Sequence, residues 1–193
     1  MKRHAATPPG AAPAFQPPPY SASQVAFLEL YNLLVKPEQA EAILDGMEKL
    51  LGEGAADGVY AADGTTLLHA AAIYAHQLGR ASTRIVRSLA RAKPEQAFVA
   101  SSTLGYLPLH YAACNGAPLE VVQTIFEAHP AACVTKEKKG LTPAALADKM
   151  GHGTIARALE RLWQQREGAG GLEGAAGASG TPGAEGGQVQ APR

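Results

Sequence analysis

Two pairs of histidine and cysteine are the first residues in this chain whose types and spacing could do chemistry. His110 and Cys114 are four residues apart, and so are His129 and Cys133. Residues four apart share one face of a helix, and imidazole and thiolate are common ligands of zinc. Pro130 interrupts the second pair, however, and proline breaks the helical geometry that the pair would need. We therefore expect no metal site and no cofactor.

A row of arginines is the second candidate. Its members follow one another at steps of four, three and four and so share one helix face: Arg80, Arg84, Arg87 and Arg91. This row, the arginine stripe, could bind nucleic acid or another anionic partner. The preceding outer helix carries acids on one face in the same way: Glu41, Asp45 and Glu48.

These acids offer a structural alternative for the arginine stripe. Alignment of the two helices sets Asp45 opposite Arg84 and Glu48 opposite Arg87. Exposed pairs of this kind contribute ~0–1 kcal/mol each. The stripe also lacks interleaved aromatic residues on which bases would stack. We expect ion pairing first and disfavour nucleic acid, with an anionic partner on the stripe as the alternative function.

The segment Pro17-Pro18-Pro19-Tyr20 matches the Pro-Pro-x-Tyr type of ligand that WW domains bind. Such a segment forms a polyproline helix in advance, which lowers the entropy cost of docking. Pro17, Pro18 and Tyr20 are therefore candidate WW-binding residues. Packing of Tyr20 against the helix that starts at Ser21 is the alternative.

One phrase occurs three times along the chain with variations. It reads Gly-Thr-Thr-Leu-Leu-His-Ala-Ala-Ala from Gly64, Gly-Tyr-Leu-Pro-Leu-His-Tyr-Ala-Ala from Gly105, and Gly-Leu-Thr-Pro-Ala-Ala-Leu-Ala from Gly140. Glycine permits the positive φ of a tight turn, threonine caps a helix and proline fits the first helical position. The intervals are 41 and 35 residues, and the longer one indicates an insertion near residues 75–80. Each copy predicts a turn followed by a helix.

The phrase resembles the ankyrin pattern Gly-x-Thr-Pro-Leu-His-x-Ala-Ala, whose unit has roughly 33 residues. The resemblance implies an all-α solenoid of stacked antiparallel helix pairs with a structural histidine. It divides the domain 21–166 into an N-terminal capping pair (21–60), two repeats (61–100 and 101–136) and a C-terminal capping repeat (137–166). The first helix is expected from Ser21 to Val35 and the last from about Thr154 to Arg166. The Pro-rich residues 1–20 and the Gly/Ala-rich residues 167–193 are expected to be disordered tails.

The resemblance also implies a function, which is protein binding without catalysis. Ankyrin surfaces bind partners through the concave side, formed by the turns and the exposed positions of the inner helices. The expected contact residues are the ones at those positions: Asp63, Thr65, Tyr74, Thr103, Leu104, Tyr106, Tyr111, Asn115, Lys138, Lys139, Leu141 and Lys149. Tyrosine supplies a large contact area with a polar end and is enriched in interface hot spots. Packing against the neighbouring unit is the alternative for Tyr111.

Composition excludes several other classes. The 193 residues carry 17 basic and 17 acidic side chains, which argues against bulk attraction to nucleic acid or to an anionic membrane. No Gly-rich phosphate loop and no pairing of nucleophile and base stands out, so we expect neither an enzyme nor a small-molecule substrate. No run of apolar residues is long enough to span a membrane, and two cysteines make no disulfide framework. We expect an intracellular monomer, cytoplasmic or nuclear, with organelle targeting left open.

Overall fold

The computed structural model describes residues 22–36, 40–58 and 63–173, and within them it contains helices and no strand. The all-α prediction is thereby confirmed. The α-helices are α1 (Ala22–Leu34), α2 (Ala40–Gly52), α3 (Leu67–Tyr74), α4 (Ser82–Ala92), α5 (Pro108–Cys114), α6 (Leu119–Ala128), α7 (Pro143–Lys149) and α8 (Gly153–Glu173). Short 3-10 helices lie between them: Ala55–Asp57, Gly79–Ala81, Pro94–Phe98 and Pro130–Cys133.

The helices form consecutive pairs that pack in two rows. Helices α1, α3, α5 and α7 contact one another in that order and form row A. Helices α2, α4, α6 and α8 do the same and form row B, and each also packs against its own partner in row A. Helix α3 is buried from Leu67 to Ala72, whereas row A keeps exposed or half-buried positions further along, such as Tyr111 on α5 and Ala145 on α7.

The core is continuous along the whole stack. Its largest fully buried side chains come from both rows, among them Leu30, Leu68, Leu89, Leu109 and Ile125. The paired alanines of the phrase are also buried, for example Ala112 and Ala113 at 0% exposure. Small residues at these positions let the helices of a pair approach closely.

The insertion lies where the intervals predict it. Between α3 and α4 the chain forms a turn and the 3-10 helix Gly79–Ala81. The last helix, in contrast, continues to Glu173, beyond the predicted end at Arg166. The prediction ended the helix there because the Gly/Ala-rich residues that follow have too little apolar surface to offset the entropy of ordering. Adding a residue to an existing helix is easy once the first turns are formed, and these turns are packed against α7.

Some predictions fall outside the described residues. They are the tail 1–20 with Pro17, Pro18 and Tyr20 of the WW-type ligand, the helix start at Ser21, and residues 174–193 of the C-terminal tail. The side chains of Glu41 and Asp45 are also outside the part that the structure describes.

Candidate protein-binding face

A buried histidine holds the start of α3 and reaches the next turn. The backbone N–H of Thr66 donates to His69 Nδ1 at 3.0 Å, and the Thr66 hydroxyl lies 2.9 Å from the same nitrogen. Because Nδ1 accepts, the ring proton sits on Nε2, which donates to the carbonyl of Tyr106 at 3.1 Å. Burial lowers the pKa of His69 to about 4, although the Tyr106 carbonyl opposes that change. His69 is thus a neutral structural group, which confirms the role that the phrase predicts for it.

His110 repeats half of this arrangement in the next unit. Its Nδ1 accepts from the backbone N–H of Leu107 at 3.2 Å. Its Nε2 is buried and has no hydrogen-bond partner among the described residues. Burial lowers the pKa of His110, and the carbonyls of Leu141 and Thr135 act in the opposite direction. The imidazole is therefore neutral and fixed at the base of the turn that precedes α5.

The turns before α5 and α7 have one construction and are tied to each other. The N–H of Ser101 donates to the carbonyl of Tyr106 at 2.9 Å, and the N–H of Glu137 donates to that of Leu141 at 3.0 Å. Backbone bonds then join successive turns, from Ser102 to the carbonyl of Asp63 at 2.8 Å and from Lys138 to that of Leu104 at 3.2 Å. We call residues 63–65, 101–106 and 137–141 the turn edge.

The glycine of the phrase closes each turn in a conformation that other residues rarely adopt. Gly105 has a φ of 72°. A Cβ built on it would lie 3.0 Å from Cγ of Lys138. The Lys138 stem therefore lies directly on Gly105, and its Nζ donates to the carbonyl of Ser102. Lys138 braces two turns while its side chain stays exposed.

Glu137 is a functional element of the turn edge that the sequence did not reveal. Its side chain is 5% exposed, and its carboxylate accepts from the backbone N–H groups of Lys139 at 2.8 Å and Leu141 at 3.2 Å. Burial raises the pKa of this carboxyl, but the two backbone donors, together with the electrostatic effects of His110 and Lys139, hold the pKa below its usual value. The sequence interval of 35 residues matches Ser101 with Lys136. Glu137 takes the structural place of Ser101 because the turn before α7 is one residue shorter, so the interval carried no signal for it.

Two tyrosines, Tyr106 of the turn edge and Tyr111 of α5, pack together where the turn edge meets row A. The rings of Tyr106 and Tyr111 meet edge to face at 5.1 Å, and Tyr106 stacks on His110 at 5.5 Å. Tyr111 also meets the ring of His69 at 5.6 Å, and its hydroxyl donates to Ser101 Oγ at 3.4 Å. Tyr111 therefore packs against the neighbouring unit, which was the alternative for it. Both rings are half-buried and so still present part of their surface.

The C-terminal ends of the row A helices bring a second line of side chains together. Tyr74, Asn115 and Met150 occupy the same position in three successive units, at intervals of 41 and 35 residues. Tyr74 is half-buried, Asn115 is exposed, and Met150 is 55% exposed. Met150 was missing from the predicted face, although the repeat interval from Asn115 points to it.

Eleven of the twelve predicted contact residues keep exposed surface. Those that are exposed or half-buried on the turn edge and row A are Asp63, Tyr74, Thr103, Leu104, Tyr106, Tyr111, Asn115, Lys138, Lys139, Leu141 and Lys149. Together with Met150 they form what we call the row A face. The prediction that Thr65 is an exposed contact residue must be corrected. It is 5% exposed, because its N–H and its hydroxyl both donate to Oδ1 of Asp63, at 3.0 and 2.7 Å.

The arginine stripe lies on α4 and the 3-10 turn before it, on row B. All four guanidinium groups are exposed, and none forms an ion pair with a described carboxylate. Glu48 lines a groove together with Arg84.

The cysteines show no sign of nucleophilic or metal chemistry. Burial raises the pKa of Cys114, and it raises that of Cys133 to about 11. The Cys133 thiol donates to the carbonyl of Leu159 at 3.5 Å, while Nδ1 of His129 lies 3.1 Å from the carbonyl of Ala97. Among the residues that the structure describes, no three metal-ligating side chains come together.

Comparison with known proteins identifies a structure with a similar fold but no family to which this chain belongs. No family model matches the chain, and no curated protein matches it. One chain of the crystal structure of the yeast ribosomal protein Rps3 in complex with its chaperone Yar1 is similar in structure, with a TM-score of 0.55 and 18% sequence identity, over 73% of this chain and 95% of that chain. At this identity the likeness shows the fold alone.

The assignment to the ankyrin family must therefore be corrected. A nine-residue phrase carried it, no family model supports it, and the similar structure is described as a ribosomal protein with its chaperone. Within the described ranges, no helix has the length and apolar character to cross a membrane. What stands is an all-helical fold, with a turn edge and a row A face built from the repeated phrase.

Proposed function

We propose that this protein is a non-catalytic binding module that holds a protein partner on the row A face. The observation that carries the proposal is that hydrogen-bonded turns hold side chains whose surfaces are partly exposed. Bonds between successive turns fix the backbone, while Tyr74, Tyr106 and Met150 keep exposed surface beside it. A fixed backbone that presents aromatic side chains loses little entropy on binding.

The titratable groups support binding over catalysis. A general base should titrate near the operating pH, whereas His69 has a pKa of about 4 and both of its nitrogens are occupied. A nucleophilic cysteine needs a lowered pKa, and burial raises the pKa of Cys114 and of Cys133. The similar yeast structure is a complex of two proteins, which is compatible with a protein partner for this chain as well.

The test is affinity capture with the full chain, read by quantitative mass spectrometry. The variant Tyr106→Ala/Met150→Ala removes contact surface from the row A face and should lower the recovery of specific partners by about tenfold or more, as loss of a hot-spot residue does. The matched control is Gln123→Ala/Glu127→Ala, which removes an exposed hydrogen-bonded pair on α6 of row B. Equal recovery by both variants would place the partner elsewhere on the molecule.

A second candidate function is anionic binding through the arginine stripe. It is favoured by one observation, that the four exposed guanidinium groups have no ion pair among the described residues. Phosphate contacts release counterions, so log affinity would fall steeply with log salt concentration. Binding to a single-stranded oligonucleotide that is steep in salt and lost in Arg84→Glu/Arg87→Glu would support this candidate. Binding that the Arg84→Glu/Arg87→Glu variant retains would exclude this candidate function.

A further inference from the structure

Positive charge is concentrated at one end of the row A face. Lys138 and Lys139 lie at the tip of the last turn, and Lys149 lies at the end of α7, which follows that turn. All three side chains are exposed. None forms an ion pair with a carboxylate in the described part of the chain, where the ion-paired lysines are Lys49 and Lys93.

The acids near these lysines are occupied or directed elsewhere. Glu137 is buried and accepts two backbone hydrogen bonds, although its charge offsets part of that of Lys139, which helps to lower the pKa of Glu137. Asp148 lines the groove at the end of the stack together with Arg157. At the opposite end of the row A face, Asp63 accepts from Thr65. Residues 136–149 carry four lysines against Glu137 and Asp148, and no ion pair joins any of them among the described residues. The last turn and α7 therefore keep a net positive charge.

The middle of the face is neutral and aromatic. Tyr106 and Tyr111 occupy it, and the ring of Tyr106 already stacks on His110 while Tyr111 meets it edge-on. A nucleic-acid base would need an open ring face for stacking. His110 already covers one face of Tyr106, and Tyr111 is held in edge contacts with Tyr106 and His69. A peptide side chain needs only the rim that remains exposed. The arrangement therefore fits a protein segment better than a nucleic acid.

We propose that the partner presents an acidic segment, whose carboxylates meet Lys138, Lys139 and Lys149 while an apolar or aromatic side chain covers the exposed rim of Tyr106. This inference rests on the proposed function of the row A face. Neighbouring helices of one row lie about 8–10 Å apart, so the two steps from α3 to α7 correspond to about five or six residues of extended chain. Opposite charge at one end of such a segment also sets its direction along the face.

The experiment selects ligands without assuming their sequence. A phage-displayed library of random peptides is panned against the full chain, and the best binders are synthesised and titrated by fluorescence anisotropy. The charge variant is Lys138→Glu/Lys139→Glu/Lys149→Glu. Its matched control is Arg80→Glu/Arg84→Glu/Arg87→Glu, which changes the net charge by the same amount on row B. Circular dichroism verifies that both variants keep the helical fold.

The inference expects selected peptides rich in Asp and Glu, binding that weakens as salt is added, and an affinity loss of about tenfold or more in the lysine variant alone. Selected peptides without excess acid that still require Tyr106 and Met150 would overturn the acidic partner and leave the proposed function standing. If the arginine control loses as much affinity as the lysine variant, the selected peptides do not bind specifically at Lys138, Lys139 and Lys149. Tighter binding of a single-stranded oligonucleotide through the same lysines would replace the protein segment by nucleic acid. Failure to select any peptide that needs the row A face would count against both proposals.

Discussion

Protonation of His69 should be a main cause of acid destabilisation in this fold. The folded protein keeps this ring neutral, with a pKa of about 4, whereas an unfolded chain has the ordinary value of about 6.5. Between these two values the unfolded state binds more protons, so stability is full above about pH 6.5 and is lost as the pH falls towards about 4. Linkage of the two pKa values predicts a loss of about 2 kcal/mol between pH 7.5 and pH 5, and of about 3 kcal/mol by pH 4.

The assay is urea denaturation followed by circular dichroism at about pH 7.5 and about pH 5. The variant His69→Gln keeps an acceptor at the third helical position, as a capping box requires, but it has no titrating group. We expect it to be less stable than the natural chain at the higher pH and to lose about 2 kcal/mol less on acidification. The control is His76→Gln on the exposed turn after α3, which should keep the full pH dependence. If His69→Gln loses as much stability between the two pH values as the natural chain does, the reasoning is refuted.

Three further predictions concern the frame and the core. Gly105→Ala should lower the free energy of unfolding by about 1–2 kcal/mol, because φ is positive and the new methyl group meets Lys138. Gly46→Ala, with open space around it in α2, should instead raise it by about 0.5–1 kcal/mol; thermal melts with the same sign for both variants would contradict this. Leu109→Ala should lower the free energy of unfolding by about 2–5 kcal/mol in chemical denaturation, since the side chain is fully buried. Cys133, with a pKa of about 11 and a buried thiol, should react with a thiol reagent slowly in the native state and quickly in urea; fast native labelling would show that it is accessible.

The local structure was predictable where the phrase encodes it. Thr142 accepts from the N–H of Ala145 at 3.3 Å, and Pro143 starts α7. The glycine of each copy has a positive φ, and His69 is bonded within its own turn. These outcomes depend on residues close in sequence, and short-range geometry is what a phrase of nine residues can specify.

The candidate site was less predictable, because exposure depends on residues far apart in the chain. Thr65 is buried through its bonds to Asp63. Glu137 looks like an exposed charge in its run of lysines, yet backbone donors enclose it. Met150 belongs to a residue type that is most often buried, yet it is 55% exposed. The family assignment was wrong for a related reason, since turn-and-helix chemistry alone does not specify a family.

Nε2 of His69 forms a hydrogen bond that joins one unit to the next. The ring donates this proton to the carbonyl of Tyr106, which belongs to the turn of the following unit. In the last copy Ala145 stands where the histidine would be, so this unit has no imidazole proton to offer to a successor. The His69 bond supports the following turn from its N-terminal side, whereas Lys138 supports the preceding turn through the carbonyl of Ser102. Removing the first copy of the phrase should loosen the turn edge that follows it, whereas shortening α8 should leave all the preceding turns in place.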